Sequence, residues 1–216
     1  PLHLTNGVIH IGAGKTIICT CAGSVTGTAS SFVDGALAMV VNTAGVNRVF
    51  PIGSAGKNRK VTVGGLKAAS GNCTVRFSIE NSNAGTAGPG LSSLPGQRRW
   101  IGTVRNGEAG SYSTIDIDYG SDDGADPDRV AVSGSLSGTY NGLTTADSGT
   151  AVSGNANIAA TGTTPVNPFS LFGYFALGTS EGVLSLKPGD PLAKPVAKAF
   201  GKGKGSVYPK PTTGNL

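Results

Sequence analysis

NCTVRFSIE, residues 72–80, alternates apolar and polar side chains at every position from Cys73 to Ile79. Successive side chains of an extended strand point to opposite faces, so Cys73, Val75, Phe77 and Ile79 share one face. This stretch therefore predicts a β-strand that buries one side.

Short apolar runs of the same kind occur along much of the chain. They are residues 36–41, 46–50, 60–66, 98–104 (RRWIGTV), 113–119 (STIDIDY), 129–136 (RVAVSGSL), 149–161 and 169–178 (FSLFGYFALG). Glycine accounts for 35 of the 216 residues, which argues against a helical protein because glycine inside a helix costs about 1 kcal/mol relative to alanine. We expect an all-β fold with about seven to nine strands after residue 66, the number typical of an antiparallel β-sandwich.

The N-terminal segment has a different pattern. Residues 2–27, LHLTNGVIHIGAGKTIICTCAGSVTG, carry very short apolar runs separated by glycine or asparagine corners, a pattern typical of β-solenoid rungs. So few rungs bury no core alone, and we expect them to stack on the neighbouring domain. We predict solenoid-like rungs and strands in 1–66, a β-sandwich in 67–186 and an extended C-terminal arm in 187–216.

Three cysteines bear on the compartment of the protein. Cys19 and Cys21 are two residues apart and share a strand face. In an oxidising compartment, either of them can form a disulfide with Cys73. Buried thiols are the alternative.

Half of the acidic residues lie in one segment, residues 116–128. They are Asp116, Asp118, Asp122, Asp123, Asp126 and Asp128. Closely spaced carboxylates and loop carbonyls are the ligands that calcium prefers, so calcium is the one cofactor that we consider. The alternative is a solvated strand face followed by an Asp/Gly/Pro turn.

The sequence contains no convincing catalytic motif. GAGKT at 12–16 lacks the first glycine of a phosphate-binding loop. GTSEG at 178–182 matches the nucleophile-elbow pattern, but β pattern surrounds it. The only histidines, His3 and His10, lie far upstream of it. We therefore predict that the protein is not an enzyme, and no segment is long and apolar enough for a transmembrane helix.

The last thirty residues are rich in lysine, proline and glycine. Six of the seventeen basic residues lie there: Lys187, Lys194, Lys198, Lys202, Lys204 and Lys210. No stacking aromatics are interleaved with them, as single-strand nucleic-acid binders require. We predict no nucleic-acid partner and interpret this stretch as a linker or arm.

Aromatic residues bear on the alternative of sugar binding. Outside the arm they include Trp100, Tyr112, Tyr119, Tyr140 and Tyr174. A sugar-binding face needs several of them exposed together, whereas the strand pattern buries Trp100 and Tyr119.

Several motifs resemble large secreted proteins of bacteria that use the type IX secretion system. Those proteins combine a solenoid rung with S-S-Y/F-V-x-G, F-P-V/I-G and R-x-V-x-V motifs. The corresponding residues here are 30–35 (SSFVDG), 50–53 (FPIG) and 59–63 (RKVTV). RRWIGTV and FGYFALG resemble segments of the β-sandwich that comes next in those proteins. The ending SVYPKPTTGNL, residues 206–216, is similar to the opening of the C-terminal sorting domain.

The resemblance implies a protein exported across the outer membrane and then secreted or displayed on the cell surface. It also makes 187–216 a linker and the start of a sorting domain. We expect a non-enzymatic structural or adhesive protein, a homo-oligomer or filament that self-assembles into an extracellular fibre or sheath. In that assembly the arm lies along an exposed sheet edge of a neighbouring subunit. The arm residues expected to take part are Lys187, Lys194, Lys198, Lys202, Lys204 and Tyr208. The alternative is a carbohydrate-binding or spacer module of a larger secreted enzyme, with surface glycans as partners.

Overall fold

The protein is built from β-strands throughout the part that the structure describes. In this computed structural model, the described residues are 1–20, 24–124, 127–147, 151–155 and 173–181. They contain no helix, so the predicted all-β class is confirmed for them. Their strands are β1 Leu2–His3, β2 Ile9–His10, β3 Ile17–Cys19, β4 Val25–Thr26, β5 Val33–Asp34, β6 Leu37–Val41, β7 Val46–Phe50, β8 Ile52–Ser54, β9 Lys57–Asn58, β10 Val61–Ala68, β11 Cys73–Asn81, β12 Thr86–Ala87, β13 Arg98–Arg105, β14 Ala109–Ser111, β15 Thr114–Asp118, β16 Arg129–Ser133, β17 Thr139–Gly142, β18 Thr144–Asp147, β19 Ala151–Asn155 and β20 Tyr174–Gly178.

The largest sheet has eight strands in the order β12-β17-β16-β20-β13-β11-β6-β3. Neighbours are antiparallel except at the two ends, where β12 pairs in parallel with β17 and β3 in parallel with β6. Cys73, Val75 and Phe77 of β11 are buried and Ile79 is partly buried, as the alternation predicts. Thr74 and Ser78 on the opposite face are buried as well, so the prediction that this strand buries only one side is wrong.

A second sheet has six antiparallel strands. Five are in the order β14-β10-β15-β19-β18, and β7 also pairs with β10. Ile115 and Ile117 of β15 are fully buried, whereas Asp116 and Asp118 are only partly buried. This is the two-faced strand that the alternation in residues 113–119 predicts.

Three short strands at the N-terminus stack in parallel on three later strands of the chain. β1 pairs with β4, β2 with β5 and β3 with β6. We call residues 2–19 the first tier and residues 25–41 the second tier. β5 also pairs in parallel with β8, and β8 pairs with β9 as a hairpin. The tiers thus join the large sheet through β3 and β6.

The two largest sheets contribute to one hydrophobic core. The ring of Phe77 in the eight-stranded sheet lies 4.8 Å, centroid to centroid, from the ring of Phe50 in β7. Phe77 also lies 6.2 Å from Phe175. Trp100, only 1% exposed, belongs to the same core, as the sequence predicted.

Residues Pro1–Gly182 form one compact unit. The boundary predicted between residues 66 and 67 falls inside β10, whose residues 61–66 pair with β7. The predicted sandwich strands 149–161 and 169–178 are described only in part, and the arm 187–216 lies outside the described residues.

The cysteine positions argue against one of the two predicted disulfides. Cys19 pairs with Met39 of β6, and Cys73 pairs with Val41 on the other side of the same strand. Two strand spacings therefore separate Cys19 from Cys73, about 10 Å, whereas a disulfide needs Cα atoms within about 7 Å. Cys73 is a buried free thiol. Cys21, the other predicted partner of Cys73, lies outside the described residues.

Candidate functional site

A short basic segment, Lys57-Asn58-Arg59-Lys60, contributes to one polar cleft and contacts a lining residue of another. It begins with β9, the second strand of the β8–β9 hairpin, whose two-residue turn has positive φ at both positions, 54° at Ala55 and 73° at Gly56. Two positive φ angles are typical of the type I′ turn that fits the twist of a hairpin. The turn sends the chain back into the segment, where Lys57 and Arg59 contact Asp122, a lining residue of the first cleft. Asn58 and Lys60 line the second cleft.

Lys57 and Arg59 of the basic segment belong to a cluster that we call the arginine–aspartate centre. Arg59 donates hydrogen bonds to both Asp122 and Asp123, and Arg98 does the same, with its Nη2 2.7 Å from Asp122 Oδ2. Lys57 Nζ adds an ion pair at 3.1 Å to Asp122. Asp123 has no solvent exposure, and both arginine side chains are about nine-tenths buried. Two guanidinium groups thus hold two adjacent carboxylates in a largely buried network.

Backbone contacts fix this centre to the fold. The indole Nε1 of Trp100 donates to the carbonyl of Arg59 at 3.2 Å. Asp123 Oδ2 also accepts from the backbone NH of Gly120 at 2.8 Å. The loop after β15, the end of β9 and the start of β13 are therefore joined at one point.

The electrostatics of the centre result from this geometry. Burial alone would raise the pKa of Asp122, but the hydrogen bonds from Arg98 and Lys57 and the charges of Arg59 and Arg98 outweigh it. The pKa of Asp122 therefore lies well below its usual range. Burial lowers the pKa of Arg98, and its bonds to Asp122 and Asp123 more than restore it.

Several carboxylates of the acidic segment, residues 116–128, form ion pairs with arginine and lysine side chains. Asp122 and Asp123 contact arginines, and Asp118 forms an ion pair with Lys60 at 3.2 Å. Asp128 accepts hydrogen bonds from the backbone NH of Ser180, at 2.6 Å, and from its hydroxyl.

The other two acidic residues of this segment are Asp116 and Asp126. Burial, and then the charge of Asp118, raises the pKa of Asp116. Asp126 lies outside the described residues. Within the described ranges, no group of three or more His, Cys, Asp or Glu residues is arranged to hold a metal ion. Four of the six carboxylates that suggested calcium, those of Asp118, Asp122, Asp123 and Asp128, thus have protein partners that lie far away in the sequence.

The two clefts are lined by different residues. The first, which we call the arginine cleft, has a volume of about 330 Å³ and is lined by Ala55, Asn81, Ser82, Asn83, Gln97, Arg98 and Asp122. The second, which we call the tyrosine cleft, has a volume of about 360 Å³ and is lined by Gly27, Thr28, Ala29, Asn58, Lys60, Asp118 and Tyr119. Pattern reasoning missed both clefts, although the basic KNRK segment and the acidic DD pair were visible as complementary charges.

The aromatic residues form no shared exposed face among the described residues. Trp100, Tyr112 and Tyr140 are buried. Tyr119 and Tyr174 are partly buried and pack against the core. A flat aromatic platform for sugar is therefore not present in that part of the chain.

The three strands of the first tier, β1, β2 and β3, are each the edge strand of a different sheet. Beyond β1, β2 and β3 no other described strand pairs with their outer sides. The backbone NH groups of Ile9 and Ile17 donate to the second tier, and that of Leu2 donates to Ser24, the residue before that tier. Alternate residues of a strand turn their backbone groups to opposite sides. His3, His10 and Ile18 therefore direct their NH and C=O groups outward.

The exposed apolar side chains concentrate on the same tier. Ile18 is 56% exposed and Ile9 is 39% exposed, and the only other large exposed hydrophobic of the described residues is Val46 at 37%. Both histidines hold the first tier to the second: His3 Nδ1 lies 2.9 Å from Thr26 Oγ1, and His10 Nδ1 lies 3.2 Å from Asp34 Oδ2. We call the outer side of the first tier the open edge.

The predicted assembly residues cannot be placed against this edge. They are Lys187, Lys194, Lys198, Lys202, Lys204 and Tyr208, and all lie outside the described residues.

Comparisons with known proteins identify no relative. No family model, no curated protein and no solved structure matches the chain. In the described part of the chain, no helix is long and apolar enough to cross a membrane.

Proposed function

We propose that the protein is a non-enzymatic structural or adhesive module, secreted or displayed on the cell surface, whose copies join into a fibre or sheath. The secreted location rests on the motif resemblance to type IX secretion proteins. We further propose that the two tiers are a short β-solenoid and that the two large sheets are the layers of a β-sandwich. The parallel stacking of the tiers and the Phe50–Phe77 contact support that arrangement.

The open edge is the observation that carries the proposal. An exposed strand edge offers unpaired NH and C=O groups as a template for another strand, and natural proteins usually protect it with lysine, proline or a bulge. β1, β2 and β3 carry neither lysine nor proline within their bounds, and their short length, two or three residues each, is the one protective feature of this kind that they have. The end of a stacked array also normally has a polar outer face, whereas this one exposes Ile9 and Ile18.

The partner that we assign to the open edge is the C-terminal arm, residues 187–216, of a neighbouring copy. Strand addition obtains its affinity from main-chain hydrogen bonds and therefore tolerates an arm of simple composition. One copy would give its arm to a neighbour and receive the arm of another copy on its own open edge. Such a head-to-tail contact produces a filament when the rotation does not close.

Electron microscopy of the purified protein, beside a chain that ends at Leu186, tests this proposal. We expect fibres from the full chain and single particles from the shortened one. Fibres from both proteins would show that assembly does not require the arm. Single particles from both proteins would refute self-assembly.

A further inference from the structure

The tyrosine cleft lies where three segments meet. Gly27 to Ala29 begin the connection from β4 to β5, and Asn58 and Lys60 flank Arg59 after the hairpin turn. Asp118 is the last residue of β15, and Tyr119 follows it. We propose that this cleft binds one or two rings of a neutral sugar. This inference is independent of self-assembly, because it uses other residues.

The charge balance of the cleft favours a neutral ligand. Lys60 and Asp118 form an ion pair at 3.2 Å, and their side chains are 38% and 32% exposed. Their charges cancel, so neither an anion nor a cation is strongly preferred. An ammonium group has three donor hydrogens and a carboxylate has about four acceptor sites, so a single ion pair leaves both groups further hydrogen-bonding capacity.

Sugar hydroxyl groups match this mixture of donors and acceptors. Each hydroxyl both donates and accepts, and Thr28 adds one more hydroxyl to the cleft wall. The side-chain Nδ2 of Asn58 donates to the carbonyl of Thr28 at 2.6 Å.

Tyr119 supplies the apolar part of the cleft. Tyr119 is partly buried and packs against the hydrophobic core. The cleft therefore places an aromatic residue beside its polar groups. Ligand sites typically combine aromatic walls with a few placed polar groups. A sugar ring has the same division, with hydroxyls on its rim and C–H groups on its faces.

The loop that forms the third wall is held in place. Thr28 and Ser31 exchange backbone hydrogen bonds at 2.9 and 3.2 Å. A Cβ at Gly27 would lie 2.4 Å from the carbonyl oxygen of Ser31 and 2.7 Å from Cβ of Pro51, so only glycine fits this close approach. A wall fixed in advance reduces the entropy that binding must overcome. The volume, about 360 Å³, is at the small end for ligand sites.

Titration of the full chain with neutral saccharides, monitored by amide chemical shifts in NMR spectra, tests the inference. The probes are glucose, galactose, mannose, xylose and N-acetylglucosamine, with a sulfated disaccharide as the charged comparison. We expect at least one neutral saccharide to bind with Kd on the order of 1 mM and to shift the amides of Thr28, Lys60 and Tyr119. Failure of all five at about 20 mM, or binding of the sulfated sugar alone, would overturn the inference.

Substitutions locate the binding site. Tyr119→Ala and Asp118→Asn should each weaken the binding about 10-fold or more, because an unpaired polar group or a lost stacking face costs this much. Tyr119→Phe should retain most of the affinity. Gln97→Ala, in the arginine cleft, is the matched control and should leave binding unchanged. Binding that none of the tyrosine-cleft substitutions changes would place the sugar elsewhere and contradict the assignment. Filament formation and sugar binding are measured separately, so failure of one leaves the other standing.

Discussion

Ile18 and Ala38 lie opposite each other in the parallel pair of β3 with β6. The neighbouring residue, Ile17, donates its backbone NH to the second tier, so Ile18 turns its own NH and C=O groups the other way. Its side chain is also the most exposed of the large apolar side chains in the described residues. One residue therefore offers both backbone groups and apolar surface to a partner strand.

Asp123 should be essential for stability. Replacing it with asparagine leaves Arg59 and Arg98 buried without their full counter-charge, and breaking a buried pair in this way costs about 3–5 kcal/mol. Urea denaturation measures this loss. Asp118→Asn is the matched control, because its ion pair with Lys60 is partly exposed and is worth at most about 1 kcal/mol. Equal losses in the two variants would argue against a special role for the centre.

Acid should weaken the fold through Asp122. The folded protein holds the pKa of this carboxyl below its unfolded value, which is about 3.9. The stabilisation is therefore fully present above about pH 4 and is lost as the pH falls from there toward the folded pKa. Unfolding free energies measured by urea denaturation between about pH 2 and pH 7 should show this decline. In Asp122→Asn the decline should be smaller, and an unchanged profile would contradict the assignment.

Calcium removal should leave stability unchanged. The oxygens of Asp122 and Asp123 already accept hydrogen bonds from two arginines, and a cation would have to displace them. Thermal unfolding with calcium or with a chelator should give melting temperatures within about 1 °C, well below the shift of several degrees that 1 kcal/mol produces. A clear rise with calcium would show that the acidic segment binds the ion after all.

Cys73 should react slowly with alkylating reagents in the folded protein. It is 1% exposed, and burial raises the pKa of its thiol, so little of the reactive thiolate forms. Mass spectrometry of iodoacetamide-treated protein, before and after unfolding in urea, measures the difference at this residue. Rapid labelling in the native state, or a disulfide to Cys21, would contradict the placement.

Local alternation in the sequence predicted the strands well. The period of two in residues 72–80 and 113–119 indicated the buried faces of β11 and β15, because each pattern depends only on neighbouring residues. The burial of Trp100 was predicted by the same argument. The glycine-rich corners of residues 2–27 predicted the short strands of the first tier.

Long-range pairing could not be predicted in the same way. Arg59 reaches Asp122 and Asp123 across more than sixty residues, and nothing in the local sequence specifies that approach. The acidic segment therefore resembled a calcium loop, although Asp118, Asp122 and Asp123 pair with arginines and lysines that lie elsewhere in the sequence. The positions of Cys19 and Cys73 on opposite sides of β6 likewise depend on strand order.

Sedimentation velocity of the full chain with Ile18→Pro, beside the wild type, tests assembly through the open edge most directly. Proline removes the outward NH at position 18 and is tolerated where that group faces away from the paired strand, so the pairing of β3 with β6 should survive. Val46→Lys changes an exposed apolar residue of another sheet and serves as the control. The account predicts large species for the wild type and the control but monomers for Ile18→Pro, with unchanged circular dichroism. Equal sizes for all three proteins would contradict it.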